Sequence, residues 1–140
     1  MASWIIPCNP KYYDVFGAFR ALMTVDWRQT VKNIEVGDTV YIYTGKPIQA
    51  ITHKCSVLDV DIPNEAIDRS DERFNLDIGD QLESLQPYWR YMKLQLVKEY
   101  NPYVLSYSSL VEHGLKGSIQ GQRHTGPIIQ AVIDSVDGNS

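Results

Sequence analysis

The sequence predicts an α+β domain, a curled and mixed β-sheet or small barrel of about five or six strands flanked by helices. Three observations carry this. Thr39–Thr44 (TVYIYT) and Tyr91–Tyr100 (YMKLQLVKEY) alternate with the period of two that a half-buried strand requires. Pro127–Val136 carries an apolar stripe with helical period. The 140 residues, 44% of them hydrophobic, suit one core, so residues 1–140 read as a single domain.

The elements follow in order. Ser3–Pro7 (SWIIP) reads as a short buried strand ended by proline. Asp14 can cap a helix over Tyr13–Met23, whose Val15, Phe16, Phe19 and Leu22 share a face. Gly17 inside it costs about 1 kcal/mol of helix propensity, which close packing would explain. The stretch TVDWRQTVKNIEVGD reads as irregular and ends in the Gly37–Asp38 turn signal. In Thr39–Thr44, Val40 and Ile42 point one way, and Tyr41 and Tyr43 the other.

After the GKP turn, Ala50–Val60 reads as a long strand with Ile51, His53, Cys55 and Val57 on one face. His53, alone on an apolar face, reads as a satisfied core or edge residue before a catalytic one. Residues 61–89 form an acidic excursion with a short strand near Phe74–Leu76. Tyr91–Tyr100 turns Met92, Leu94 and Leu96 inward. A capping box from Ser109 to Glu112 opens a short helix that stops at Gly114. Pro127 occupies the first turn of the last helix, ahead of Ile128, Ile129, Val132, Ile133 and Val136. Short turns between neighbouring strands predict a mostly antiparallel sheet, and a sheet of this size curls.

Composition excludes several classes of function. No apolar run is long enough for a membrane helix, and no secretory signal opens the chain. Cys8 and Cys55 lie far apart without a CxxC pair, so they read as buried thiols of a reducing cytosol, hence a cytoplasmic protein. With three scattered histidines they offer no zinc spacing, and neither a metal nor a cofactor is expected. No GxSxG, P-loop or HExxH motif supports an enzyme. A pairing of Cys8 with His53 or His124 has no local support.

The net charge is −4, but residues 61–83 alone hold eight acids and two bases. Eleven bases stand against nine acids elsewhere, which permits one modestly basic face.

Four pieces in order (WIIPCNPKYYDV, the tryptophan of VDW, VGDTVYIYTGKPIQAI and SIQGQR, spread from about Ser3 to Val136) resemble the EVE domain. That family is PUA-like, related to YTH and ASCH domains. The resemblance is greatest to the EVE modules that precede HNH nucleases in modification-dependent restriction enzymes. It implies a binding module, not an enzyme, that flips a modified cytosine out of DNA, with RNA the lesser expectation. It also implies a nuclease domain or subunit as partner.

The resemblance further implies a pocket beside the end of the first strand. Cys8 and Asn9 match its polar positions, and Trp27 matches a cage tryptophan. Tyr43 and Lys46, in the GKP turn, match the bordering strand end. Gln120 and Arg123, in the glycine-studded loop Gly117–Gly126, would approach the ligand's backbone. Base flipping needs a surface to stack on, partners for the base edge and cations for phosphates. Trp27 could stack or fill the core. Asn9 could read an edge, since its amide both donates and accepts, or close an Asx turn before Pro10. Phosphate repulsion places the acidic segment away from this mouth. A small-molecule or protein-interaction domain using the same pocket is the alternative reading.

Overall fold

The structure, a computed structural model, describes residues 1–76 and 88–138. The elements run β1 (Ser3–Cys8), α1 (Val15–Ala21), β2 (Thr24–Gln29), β3 (Thr39–Thr44), β4 (Ala50–Pro63), β5 (Arg90–Glu99), α2 (Tyr107–Glu112), β6 (Arg123–His124) and α3 (Gly126–Val136). The six strands form one sheet in the order β2-β5-β4-β3-β1-β6. Only β1 and β3 run parallel; the other four pairings are antiparallel.

Strand alternation divides the core in two. Trp4, Ile6 and Cys8 of β1, Val40 and Ile42 of β3, and Met92 and Leu94 of β5 pack beneath α1 with Phe19 and Val25. Ile5, Tyr41 and Tyr43 face the other way, against Leu110 of α2 and Ile129, Val132 and Ile133 of α3. The expected split between Val40/Ile42 and Tyr41/Tyr43 is observed.

The two sheet edges, β2 and β6, do not pair. A side chain spans the gap between them. The Gln122 amide donates to the Arg28 carbonyl at 2.6 Å and accepts from the Thr30 N–H at 2.8 Å. One glutamine thus supplies the two bonds of a single β-bridge. Gly121, immediately before it, has φ +69°, which a side chain would resist.

Several expectations are corrected. TVDWRQ is strand β2, because Val25 and Trp27 alternate with Asp26 and Arg28 and pair with Leu94 and Met92. The first helix is shorter than Tyr13–Met23, since Leu22 is already extended and the chain turns into β2. Asp14 does cap it, accepting from the Gly17 N–H at 3.0 Å. A Cβ on Gly17 would meet the Asp14 carboxylate and come within 3.1 Å of the Phe74 ring, so close packing does require glycine there.

β4 runs on to Pro63, past the expected Val60. Ile51 does not share a face with Cys55 and Val57. The register slips between Ile42 and Tyr43, whose partners are His53 and Ile51, so Thr52 is the extra residue of a bulge and turns Ile51 to the α3 side. Around Phe74 there is a 3-10 turn, Glu72–Phe74, and one bridge from Asn75 to Tyr13. The cap of α2 is Ser106, which accepts from the Ser109 N–H at 3.2 Å, and not Ser109. Along α3 the stripe is buried at Ile129, Val132 and Ile133, while Ile128 and Val136 reach solvent.

Candidate ligand site at the end of the first strand

β1 ends at buried Cys8, and the chain turns at once over Asn9 to Tyr13. The Asn9 carbonyl accepts from the Tyr12 and Tyr13 N–H groups at 3.0 and 3.3 Å, which folds this link into a tight turn. The Asn9 side chain closes an Asx turn, its Oδ1 accepting from the Lys11 N–H at 3.0 Å. It remains exposed.

The turn delivers Tyr13 against Trp27. Their ring centroids lie 5.5 Å apart with planes at 80°, so the two aromatics form adjacent walls at nearly a right angle. Trp27 faces the α1 side from β2, half-buried against the core. Cys8, Tyr13 and Trp27 therefore share the α1-side core, and Asn9 sits in the exposed turn between Cys8 and Tyr13. Lys46 flanks this cluster: the Gly45 N–H donates to the Cys8 carbonyl at 2.9 Å, and Lys46 follows, exposed, with Lys11 exposed beyond Asn9.

Two other expected residues fall elsewhere. Tyr43 lies buried on the opposite face, 6.5 Å from the Tyr107 ring. Arg123 pairs with Ile5 and so shares that opposite face, although it is exposed. Gln120 is exposed in the loop. The loop residue that touches the strand of Trp27 is Gln122, which sequence reasoning passed over. Tyr13 was passed over too, although an aromatic pair directly before the helix-capping Asp14 was a usable signal.

The acidic segment does not turn away from this mouth. Within its described part, Asp71 and the stretch from Phe74 to Leu76 lie against the turn. The Asp14 N–H donates to the Phe74 carbonyl at 2.8 Å, and the Leu76 N–H to the Tyr12 carbonyl at 2.9 Å. Phe74 packs into the core, and the Tyr13 hydroxyl donates to Asp71 Oδ2 at 2.7 Å. Apolar anchoring by Phe74 and this hydrogen bond hold the segment in place here. Burial raises the Asp71 carboxyl above its ordinary pKa, against the lowering effect of the Tyr13 hydrogen bond. The Tyr13 phenol is raised in turn, by burial first and then by the Asp71 charge. Asp77, Asp80 and Glu83 lie outside the described residues. Trp89 stands apart, stacked 3.5 Å from the Arg28 guanidinium.

Deeper on the α1 side sits His53, fully buried between Phe16 and Phe19. Its Nδ1 shares a 2.7 Å hydrogen bond with Thr52 Oγ1, which in turn meets Thr44 Oγ1 at 2.7 Å. Its Nε2 has no hydrogen-bond partner, and Glu99 Oε1 stands 3.9 Å away, already held by Arg20. Burial lowers its pKa to about 4, with Glu99 opposing. Cys8 is pushed up to about 12 by burial and the Asp14 charge, and Cys55 to about 12 by burial. Neither thiol supplies a thiolate near neutral pH. No cluster of three His, Cys, Asp or Glu positioned for a metal occurs among the described residues.

No protein-family model and no curated protein matches the chain. Solved structures do. ASCH from Zymomonas mobilis superposes with a TM-score of 0.67 at 10% identity, covering 96% of this chain and 95% of its own. Human THYN1, solved in complex with DNA containing 5-methylcytosine, gives 0.65 at 11% identity, covering 98% of each. Atu2648 from Agrobacterium tumefaciens gives 0.52 at 11%, covering 81% of this chain and 73% of its own. The fold is PUA-like. Within it, the Tyr13–Trp27 pair lies beside the end of β1 and the start of α1. No described helix is long and apolar enough to cross a membrane.

Proposed function

We propose that this PUA-like chain is an EVE-type, non-enzymatic module that binds nucleic acid and reads a modified base, modified cytosine in DNA before any base in RNA. The base would be flipped into the corner beside the end of β1. Trp27 would stack on it with Tyr13 as the second wall, Asn9 and Cys8 would line the base edge, and Lys46 and Lys11 would meet phosphates. Gln120 would approach the backbone from the loop, and Arg123 from β6 at the sheet edge. Tyr43, across the sheet, has no part in it. A nuclease domain or subunit is the proposed partner, following the restriction-enzyme resemblance, and the cytoplasm the proposed setting.

One observation carries the reading: two aromatic side chains at right angles, at the end of the first strand of a fold that THYN1 shares over its whole length. Base flipping needs such a surface, because stacking replaces the base pair's own neighbours.

A second reading has a specific observation in its favour. Asp71 beside the same walls would repel phosphates, which suits a small uncharged ligand instead. Titration against oligonucleotides matched except for one modified base separates the two. Preference for a modified base supports the module reading. Equal, weak binding to every oligonucleotide at low salt leaves the small-ligand reading.

A further inference from the structure

Asp71 is a carboxylate held partly buried beside the turn into α1. It has no cation paired to it among the described residues, and burial raises its pKa. The nearby charges that act on it, Asp26 and Glu72, are of its own sign. Yet it is held firmly. The segment around it is tied to the mouth by the Asp14–Phe74 and Leu76–Tyr12 backbone bonds and by the Phe74 ring. One carboxylate oxygen accepts the Tyr13 hydroxyl, and the same Tyr13 ring forms the right-angled corner with Trp27. The Tyr13 hydrogen bond fixes one oxygen, a backbone N–H also reaches the carboxylate, and the other oxygen has no side-chain donor among the described residues.

We infer that Asp71 is the specificity-determining residue of this corner, accepting a hydrogen bond from the amino edge of a flipped base. This rests on the module reading. A carboxylate accepts the exocyclic amine of cytosine and has nothing to offer a carbonyl at the same place. The acidic group at the mouth then selects amino-bearing bases over their carbonyl analogues, while Lys46 and Lys11 on the Asn9 side serve the phosphates. Tyr13 has two duties: it is a wall, and it orients the carboxylate.

The probe pair is 5-methylcytosine and thymine, which share the ring and the 5-methyl group and differ at the amine or carbonyl of C4. Each is placed in an otherwise identical single-stranded oligonucleotide, so that no pairing energy enters. The wild-type chain is expected to prefer 5-methylcytosine. In Asp71→Asn the Tyr13 hydroxyl holds the amide oxygen, so the amide N–H group faces the ligand and suits the thymine carbonyl. The 5-methylcytosine-to-thymine ratio should fall about 5- to 150-fold, the range of one discriminating contact. The salt dependence should stay unchanged, because no phosphate contact is lost. An unchanged ratio in Asp71→Asn overturns the inference.

Should that variant fail to fold, Asp71→Glu keeps the charge and shifts the carboxyl by one methylene. It too must lose the ratio at constant salt slope, and a retained ratio overturns the inference equally. A wild-type chain that binds neither oligonucleotide fails at the earlier step and takes the module reading with it. A wild-type chain that binds both equally leaves the module reading standing and removes Asp71 as its selector.

Discussion

Asp137 and Asp71 are both shielded carboxylates beside a tyrosine hydroxyl, one at the end of α3 and the other beside the turn into α1. Their surroundings differ in one respect. Asp137 accepts from Tyr100 Oη at 2.9 Å and from the ammonium groups of Lys54 and Lys98, each at 3.2 Å. Burial alone would raise its pKa, but the hydrogen bonds from Tyr100, Lys98 and Lys54 hold it below the ordinary carboxylate range. Asp71 has the tyrosine and, among the described residues, no paired cation, and its pKa is raised. His53 repeats the contrast on the α1 side with an unpartnered Nε2. Among the described residues the α1 side thus holds a buried nitrogen without a partner at His53 and a carboxylate without a paired cation at Asp71.

The largest expected effect tests this in acid. His53 is neutral and buried, with its pKa lowered from 6.5 to about 4. A depressed folded-state value means that the unfolded chain takes the proton first. The contribution is complete above about pH 6.5 and is lost as pH falls toward 4. At 1.36 kcal/mol per unit the loss reaches about 3 kcal/mol. Chemical denaturation across this window should show the slope, and His53→Phe should flatten it. A slope that survives in His53→Phe assigns the acid sensitivity to other groups.

Next comes Asp137. Its side chain is 7% exposed and collects three donors, tying the end of α3 to β4 and β5. Asp137→Ala should cost about 2 kcal/mol, the scale for a hydrogen bond to a charged group, visible as a lowered denaturation midpoint. Its pKa is depressed as well, so the wild-type contribution holds above the ordinary carboxylate range and fades below it. The two sides thus separate on the pH axis, with His53 acting above about 4 and Asp137 below. Binding to oligonucleotides should not change in Asp137→Ala beyond what stability explains.

Much of this division is legible in the sequence. Val40 and Ile42 against Tyr41 and Tyr43 announce two faces, and the α3 stripe announces what covers one of them. β2 was missed because six residues with a tryptophan and two charges look irregular until their partner, β5, is known. Thr52 was missed because a bulge leaves no mark in alternation; it only moves Ile51 to the other side. Of the expected site residues, Cys8 and Trp27 both face the α1 side, and Asn9 sits in the exposed turn after β1. Tyr43 does not join them, since one strand's alternate residues serve opposite faces. Asp71 was misplaced because repulsion was weighed against absent phosphates, while Phe74, three residues on, is an apolar anchor within the same acidic stretch.

Binding supplies the third effect. Trp27→Ala should weaken a preferred oligonucleotide about 5- to 150-fold, since base–aromatic stacking is worth roughly 1–3 kcal/mol. Tyr43→Phe, on the other side of the sheet, should leave affinity unchanged. Isothermal titration of both variants decides the comparison directly. If Trp27→Ala keeps the wild-type preference for the modified base, Trp27 is a core residue and the corner is not the stacking site.

The smallest effect concerns Arg123, and it tells how far a bound strand reaches. Arg123 stands exposed on β6 and, through its pairing with Ile5, on the side away from Trp27. Lys46 stands on the turn beside Cys8, on the near side. Each phosphate contact releases counterions and adds nearly one unit to the slope of log affinity against log salt. Such contacts carry no base information, so their loss weakens modified and unmodified oligonucleotides alike. Lys46→Ala should therefore lower the slope by about one unit with the preference intact. Arg123→Ala should do the same if the strand crosses the β6 edge, where Gln122 already joins β6 to the strand of Trp27. Salt titrations of the two variants and their combination measure both. A combined loss of about two units describes a strand that wraps the edge from one side of the sheet to the other. A slope that responds to Lys46 alone confines the strand to the side of Trp27 and removes Arg123 from the site.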